Sequence, residues 1–169
     1  DLNIVLGPGI RFNYIRKNNN KFLSYNKNDI LIALPISIKE SKDVLNIVND
    51  MLENEKDFSN KKLILKPHPH LKISKLKNDI ENIVNNFKVC NEPINKLLQK
   101  TSLVITNGSS LAFEALVLGI PLCIIGSQNG FTQNPIPIDI DSRIWKLCYS
   151  KNDLIHFLNK ISSYKESDL

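Results

Sequence analysis

The sequence lacks the signatures that define several common protein classes. Its 169 residues contain neither the GxGxxG pattern of dinucleotide-binding folds nor the GxxxxGK(S/T) pattern of P-loop hydrolases, so both classes are disfavoured. Its three cysteines, Cys90, Cys123 and Cys148, stand singly without CxxC spacing, which argues against a zinc site or a disulfide framework and predicts buried thiols. No uncharged apolar run of about 18 residues and no secretory signal occurs, so the chain is predicted to be soluble and cytoplasmic.

The charge is nearly balanced, which gives little reason to predict a nucleic-acid partner. Lysine and arginine together number 22 against 17 aspartates and glutamates, and the formal net charge is +5. The excess positive charge lies mainly in segments 11–21 and 61–77, an arrangement compatible with an anionic small ligand. We therefore predict no nucleic-acid binding.

Length and composition predict one domain. A chain of 169 residues, 42% of them hydrophobic, can bury one sizeable core but is too short for two domains of ordinary size. The chain begins at Asp1 and enters the apolar run NIVLG almost at once, which suggests a piece of a longer protein. We expect residues 1–169 to form a single domain of that protein.

Short apolar runs alternate with segments of helical periodicity along most of the chain. The runs ILIAL, LIL, LVI and LCII are continuous, as is typical of parallel strands buried on both faces. Strands that alternate with helices indicate βαβ units, so we predict an α/β fold with a doubly wound parallel sheet. The predicted strands cover 29–35, 62–67, 88–91, 102–107 and 121–126, and the predicted helices cover 41–55, 72–87, 93–101, 109–118 and 151–164.

The segment TNGSS joins the end of one predicted strand to the start of a helix. Ligands of such sheets bind beyond the carboxyl ends of the strands, so Asn107, Gly108, Ser109 and Ser110 are candidate ligand contacts. Glycine permits a close approach of the backbone to a ligand, and either serine can cap the helix. Because a helix N-terminus offers free N–H groups and the positive end of the helix dipole, the segment predicts a phosphate site. A simple N-cap would leave the same pattern.

Glu114 is the only Asp, Glu, Lys, Arg or His between Leu103 and Ile138. It follows Ser110 by four residues, one more than the spacing of a capping box, and shares a helix face with it. A carboxylate one turn below a phosphate-binding helix start can accept two hydrogen bonds from a ribose diol, and we favour this role. The alternative is a buried glutamate that pairs with a lysine or with backbone donors from elsewhere.

The segment LKPHPH ends the strand predicted over 62–67. Lys66 and His68 each precede a proline, which holds both in extended conformation where a ligand would lie. An imidazole there can donate a hydrogen bond to a phosphate oxygen as a nucleotide leaves, so His68 is the candidate catalytic residue and Lys66 a candidate nucleotide ligand. His70 would share that side only in an extended backbone, and a zinc site lacks a third ligand at a usual spacing. A turn histidine without function is the alternative.

Two further loops lie on the predicted ligand side of the sheet. In the segment PISIKES, Ser37 with Glu40 fits a capping box, or Ser41 caps the helix instead. The same loop can offer N–H groups to a phosphate, so Ser37 is also a candidate nucleotide ligand. The segment 126–135 carries asparagine and glutamine side chains that can bind a base or a sugar, and Phe131, which can stack.

Together, these motifs resemble the carboxyl-terminal, donor-binding half of GT-B glycosyltransferases of bacterial surface polysaccharide biosynthesis. The similarity is to capsule polysaccharide, polysialyltransferase-like and CDP-glycerol transferase-like enzymes, in which His-Pro follows one strand and Ser-Ser precedes a helix that bears a glutamate. In this sequence His68 precedes a proline, Ser109 precedes Ser110, and Glu114 opens the ending EALVLGIP. The resemblance covers residues 30–126 and implies one Rossmann-like half of a GT-B architecture.

The resemblance also implies an activity and a set of partners. The activity is an inverting, metal-independent transfer of a sugar or a polyol phosphate that needs no cofactor. The implied donor is linked to CMP, CDP or UDP and is held by the candidate residues named above. The acceptor site and the catalytic base would belong to an amino-terminal domain that this sequence does not contain. Peripheral association with the polysaccharide machinery at the inner face of the membrane is implied as well.

Three other assignments stand beside this one. UDP-sugar 2-epimerases share the architecture and a similar Gly/Ser-then-Glu helix start. A non-catalytic nucleotide- or sugar-binding module that regulates or assembles surface-polysaccharide machinery would carry the same residues. A response-regulator-like domain would need an acidic cluster at a strand end, and its only candidate, DID at 139–141, lacks a partner acid, so this assignment is disfavoured.

Overall fold

A computed structural model describes residues 29–54, 61–76, 87–137, 139–140 and 142–163. The strands are β1 (Asp29–Leu34), β2 (Lys62–Pro67), β3 (Phe87–Val89), β4 (Thr101–Thr106), β5 (Leu122–Ile125) and β6 (Trp145–Cys148). The helices are α1 (Ile38–Asn54), α2 (Ile94–Leu98), α3 (Leu111–Val117) and α4 (Lys151–Ser162), and Ile73–Leu76 forms a 3-10 turn. All six strands are parallel, in the order β3-β2-β1-β4-β5-β6. The predicted doubly wound α/β fold is confirmed.

Alternate residues of the central strand β1 serve two separate cores. Ile30, Ile32 and Leu34 pack in one buried cluster with apolar residues of α1 and α4. Leu31 and Ala33 pack in a second cluster with apolar residues of α2 and α3. Because side chains alternate along a strand, the two clusters lie on opposite faces of the sheet, and helices therefore cover both faces. None of the helices within the described ranges is long and apolar enough to cross a bilayer.

Helix α1 begins at Ile38, three residues before the predicted start at residue 41. Ser37 caps it, since its Oγ accepts a hydrogen bond from the N–H of Glu40 at 3.3 Å. The hydroxyl of Ser41 instead donates to the carbonyl of Pro35 at 3.0 Å and ties the first turn to the end of β1. The sequence allowed either Ser37 or Ser41 to cap this helix, and in the structure Ser37 is the cap.

Two other elements differ from the prediction. The helix predicted over 72–87 is wrong in its described parts, because Ile73–Leu76 is a 3-10 turn and Phe87 begins β3. The remainder of that prediction, residues 77–86, and the basic segment 11–21 lie outside the described residues. Strand β6 escapes the pattern analysis because it is an edge strand whose exposed Lys146 interrupts the apolar run.

The three cysteines are free and buried, as predicted. Cys123 on β5 and Cys148 on β6 lie diagonally on neighbouring strands, with 2.9 Å between their sulfurs. Burial, together with the hydrogen bond to Cys148, raises the pKa of the Cys123 thiol well above its ordinary value. Both cysteines belong to the core that α1 and α4 cover.

Helix α4 begins with a complete capping box. The Oγ of Ser150 accepts a hydrogen bond from the N–H of Asp153 at 3.2 Å. Oδ2 of Asp153 in return accepts from the N–H groups of Tyr149 and Ser150 at 3.0 and 3.1 Å. Partial burial acts to raise the pKa of the Asp153 carboxyl, but these hydrogen bonds outweigh it and lower that pKa.

Asp153→Asn is expected to lower the free energy of unfolding at pH 7 by about 1 kcal/mol, because the helix start loses its charge-assisted hydrogen bonds. The stabilisation by the carboxylate is present above the pKa of the unfolded chain and is lost as the pH falls through the lowered pKa of the folded state. Wild type and variant should therefore converge in acid. Thermal unfolding from pH 7 down to about pH 2 measures both effects, with exposed Asp139→Asn as control. Equal stabilities of wild type and Asp153→Asn at pH 7 would show that the Asp153 carboxylate does not stabilise the start of α4.

Candidate functional site

A cleft of about 630 Å³ lies at the carboxyl edge of the sheet. It opens where β1 and β4 lie side by side, and the chain leaves β1 toward α1 on one face and β4 toward α3 on the other. This is the topological switch point, where open α/β sheets bind ligands. Six of the eight sequence-predicted site residues line the cleft, namely Lys66, His68, Gly108, Ser109, Ser110 and Glu114.

Ser37 and Asn107, the other two predicted residues, do not line the cleft. Ser37 caps α1, as described above. Asn107 is 2% exposed, and its Nδ2 donates to the carbonyl of Ile125 at 2.8 Å while its Oδ1 accepts from the N–H of Gly108 at 2.6 Å. The Asn107 side chain therefore joins the end of β4 to the end of β5 and shapes the turn that leads to the serines.

The turn before α3 uses several of its own N–H groups. The N–H of Ser109 donates to the carbonyl of Asn107, and the N–H of Leu111 donates to the Oγ of Ser109 at 3.3 Å. The N-cap residue is Ser110, whose side chain makes no capping hydrogen bond. An anion in the cleft would therefore meet the hydroxyl groups of Ser109 and Ser110 rather than the N–H groups of Ser109 and Leu111.

Glu114 is 4% exposed and lines the cleft from the first turns of α3. Since Ser110 is the N-cap, the capping-box position belongs to Phe113, and the spacing argument made from the sequence holds in the structure. A buried carboxylate that borders a cleft can accept hydrogen bonds from ligand hydroxyl groups.

His68 is exposed, and one of its two ring nitrogens is engaged within its own loop. Its N–H donates to the carbonyl of Leu34 at 3.0 Å, which fixes the loop against β1. Its Nδ1 accepts a hydrogen bond from the N–H of His70 at 3.2 Å, so in the neutral ring Nε2 carries the hydrogen. His68 can therefore donate to a ligand through Nε2–H.

His70 does not join His68 in the cleft. The N–H of Leu71 donates to the carbonyl of His68 at 2.9 Å and closes a turn, so the backbone is not extended here. The rings of His68 and His70 lie 5.6 Å apart, and His70 is exposed outside the cleft lining. Within the part of the chain that the structure describes, no three His, Cys, Asp or Glu side chains lie close enough together to hold a metal ion.

Gln133 lies in the segment 126–135, whose asparagine and glutamine side chains the sequence predicts as ligand contacts without choosing among them. It packs on Gly108 so closely that a Cβ added to Gly108 would lie 2.7 Å from the Cβ of Gln133 and 2.8 Å from its carbonyl oxygen. The absence of a side chain at Gly108 thus allows the loop that carries Gln133 to pack against it, and Gly108 also borders the cleft. Gln133 also lines the cleft, as does Glu40, which the sequence suggested only as a capping partner of Ser37. The sequence could not show which residues of these two segments reach the cleft, because that depends on long-range packing.

The loop that carries Gln133 is fastened to its surroundings. Lys39 Nζ donates to the carbonyl of Asn129 at 3.0 Å, and Ser127 Oγ donates to Asp43 Oδ2 at 3.4 Å. Both contacts join the loop to α1. Phe131, the predicted stacking residue, is 84% exposed and does not line the cleft.

Several solved structures share this fold. UDP-GlcNAc 2-epimerase from Methanocaldococcus jannaschii, in complex with UDP-GlcNAc and UDP, matches with a TM-score of 0.62 and 20% identity, over 93% of this chain and 45% of that one. A proposed UDP-N-acetylglucosamine 2-epimerase from Listeria monocytogenes gives 0.55 and 17%, over 99% and 42%. The wall teichoic acid polymerase TagF, in a variant soaked with CDPG, gives 0.54 and 16%, over 93% and 41%.

The chain spans less than half the length of these three proteins. What it shares with them is the Rossmann-like fold of one half of a GT-B architecture, as predicted. An epimerase and a polymerase both have this fold, so it is common to two of the enzyme classes considered from the sequence. No protein-family model matches the sequence, and no curated protein matches it closely enough to count as a relative.

Proposed function

We propose that the cleft binds a nucleotide-activated sugar or polyol phosphate and that the chain is the donor-binding domain of a glycosyltransferase. The observation that carries the proposal is the convergence of six sequence-predicted residues on one cleft at the topological switch point. Two of the fold neighbours carry nucleotide ligands in their structures, UDP-GlcNAc with UDP in one and CDPG in the other, and this supports the ligand class.

Each group in the cleft has a role in this proposal. The hydroxyls of Ser109 and Ser110 and the ammonium of Lys66 bind the phosphates, and the Glu114 carboxylate accepts hydrogen bonds from the ribose diol. His68 donates Nε2–H to a phosphate oxygen of the leaving nucleotide, which gains negative charge as the bond to the transferred group breaks. His68 is therefore the proposed catalytic residue of this domain.

The wider assignment extends the same proposal. Residues 1–169 form a single domain of a longer, two-domain enzyme, in keeping with the fact that the chain spans less than half of each fold neighbour. The second domain supplies the acceptor site and the catalytic base for an inverting, metal-independent transfer. The enzyme acts in bacterial surface polysaccharide biosynthesis, in the cytoplasm at the inner face of the membrane, and resembles the polysialyltransferase-like and CDP-glycerol transferase-like enzymes.

Calorimetric titration of the chain with CMP, CDP, UDP and GDP tests the proposed ligand class. We expect saturable binding, with one molecule per chain, of at least one pyrimidine nucleotide. Binding of one nucleotide in preference to the others would also identify the donor class. A folded chain that binds none of the four would contradict the proposed function.

Lys66→Ala is expected to weaken binding of the preferred nucleoside diphosphate about five- to tenfold, because the ammonium group pairs with the phosphates. Binding of the corresponding monophosphate, with less negative charge, should weaken by a smaller factor. The control is Lys88→Ala on the edge strand β3, which removes an exposed lysine outside the cleft lining. Equal losses in both variants would assign the effect to net charge rather than to this site.

A further inference from the structure

Glu40 borders the cleft, and within the described residues its carboxylate makes no hydrogen bond or ion pair. Its N–H donates to Ser37 Oγ, which is one half of a capping box. The other half, a hydrogen bond to the Glu40 side chain, is not made, in contrast to the complete box that Ser150 and Asp153 form at α4. Throughout residues 29–54, 61–76 and the described part of 87–163, the Glu40 carboxylate has no hydrogen bond or ion pair. It is half-buried and lines the cleft.

Glu40 and Glu114 reach the cleft from opposite sides of the sheet. Helix α1, which carries Glu40, packs in the core cluster of Ile30 and Ile32. Helix α3, which carries Glu114, packs in the cluster of Leu31. Since these clusters lie on opposite faces, the two carboxylates stand on opposite walls of the cleft. A ligand that contacts both must extend across the edge of the sheet.

Lys66, the one lysine among the described residues that line the cleft, lies near only one of these walls. Leu63 and Leu65 of β2 belong to the α1 cluster, whereas Ile64 belongs to the α3 cluster. By the alternation of side chains, Lys66 lies on the face of Ile64, the same face as Glu114. Ser109 and Ser110, which precede α3, border the cleft on this side as well. The groups suited to a phosphate are thus gathered near α3, and Glu40 stands across the edge from them.

A carboxylate repels phosphate and accepts hydrogen bonds from hydroxyl groups. A ligand that fits both walls therefore carries hydroxyl groups at its two ends and phosphates nearer the α3 end. A nucleoside diphosphate joined to a sugar or polyol has this order of groups. We propose that Glu40 binds hydroxyl groups of the transferred sugar or polyol and so contributes to the choice of donor. This inference rests on the proposed function, because it assumes that Glu114 and the serines hold the nucleotide.

The test compares intact donors with their nucleotides. Dissociation constants are measured by calorimetry for UDP and UDP-GlcNAc and for CDP and CDP-glycerol, with the wild type, Glu40→Gln and Glu53→Gln. Glu53 lies at the far end of the same helix, outside the cleft. Glu53→Gln therefore makes the same change in charge away from the site and serves as the control. For the donor that the wild type prefers, Glu40→Gln should lower the affinity about tenfold without lowering the affinity for the matching nucleotide. Glu53→Gln should change neither.

Each other result overturns the inference. If Glu40→Gln weakens donor and nucleotide by the same factor, or weakens neither, then Glu40 does not contact the transferred group. If the wild type binds a nucleotide but neither donor, the cleft has no subsite for that group. In these cases nucleotide binding persists, and the proposed function stands without the role of Glu40. If the wild type binds no nucleotide at all, the proposed function fails and the inference fails with it.

Discussion

Glu114→Gln is expected to weaken nucleotide binding about ten- to a hundredfold while the chain remains folded. The wild-type carboxylate is 4% exposed and borders the cleft, so a hydrogen bond that it accepts from a ribose hydroxyl is shielded from water. Glutamine keeps the shape but loses the charge and one of the two acceptor oxygens. The loss of one or two charge-assisted hydrogen bonds corresponds to about 1.5–3 kcal/mol, which gives the stated range in affinity.

The ribose role is tested most sharply with 2′-deoxynucleotides. Wild type should bind the deoxy form of its preferred nucleotide about tenfold more weakly than the ribo form, since one partner of Glu114 is missing. Glu114→Gln should reduce that discrimination to about twofold or less. Glu53→Gln, exposed on α1, serves as the control for charge. A variant that loses thermal stability but still discriminates like the wild type would assign Glu114 to the fold rather than to the ribose.

Gly108→Ala is expected to damage both the fold and the cleft. The added methyl group would lie 2.7 Å from the Cβ of Gln133 and 2.8 Å from its carbonyl oxygen, and a backbone atom cannot move away without shifting its loop. Overpacking of this kind costs about 1–3 kcal/mol, which lowers the melting temperature of a domain of this size by several degrees. Nucleotide affinity should fall about tenfold or more, because Gln133 and the serine turn both border the cleft.

Gly119→Ala provides a matched control for this prediction. Gly119 has a φ of 66° and no atoms within 4 Å of an added Cβ, so alanine strains the backbone there without a collision. It lies at the far end of α3 and does not line the cleft. Gly119→Ala should therefore lower the melting temperature and leave nucleotide affinity unchanged. If Gly108→Ala behaves in the same way, the contact with Gln133 does not organise the site.

The sheet and most of the cleft lining could be predicted from the sequence because both follow from local patterns. Continuous apolar runs identify buried parallel strands, and the carboxyl ends of those strands meet at one edge. Lys66, His68 and Ser109 therefore converge there even though each motif is short. The resemblance to a known family relied on these same residues. Local pattern was thus sufficient to place these three residues at the cleft.

The rest depended on contacts that no local pattern reveals. Asn107 follows a strand end like its neighbours, but its buried amide is taken up by Ile125, 18 residues away. Gln133 reaches the cleft only because its loop packs on Gly108. For Ser37 and Glu40 the sequence showed a capping box, and the structure makes only the half in which Ser37 is the acceptor. Long-range packing decides which polar groups are occupied by the fold and which border the cleft.

The central claim is that the cleft at the switch point is the nucleotide site, and a nuclear magnetic resonance titration tests it most directly. The ¹⁵N-labelled chain is titrated to saturation with the nucleotide that binds best, and the amide shifts are mapped by residue. We predict that the largest shifts fall on residues 66–68 and 108–114, the segments that meet in the cleft, while the distant helix end around Glu53 stays unchanged. Shifts centred on another surface, or none at saturating nucleotide, would contradict this account.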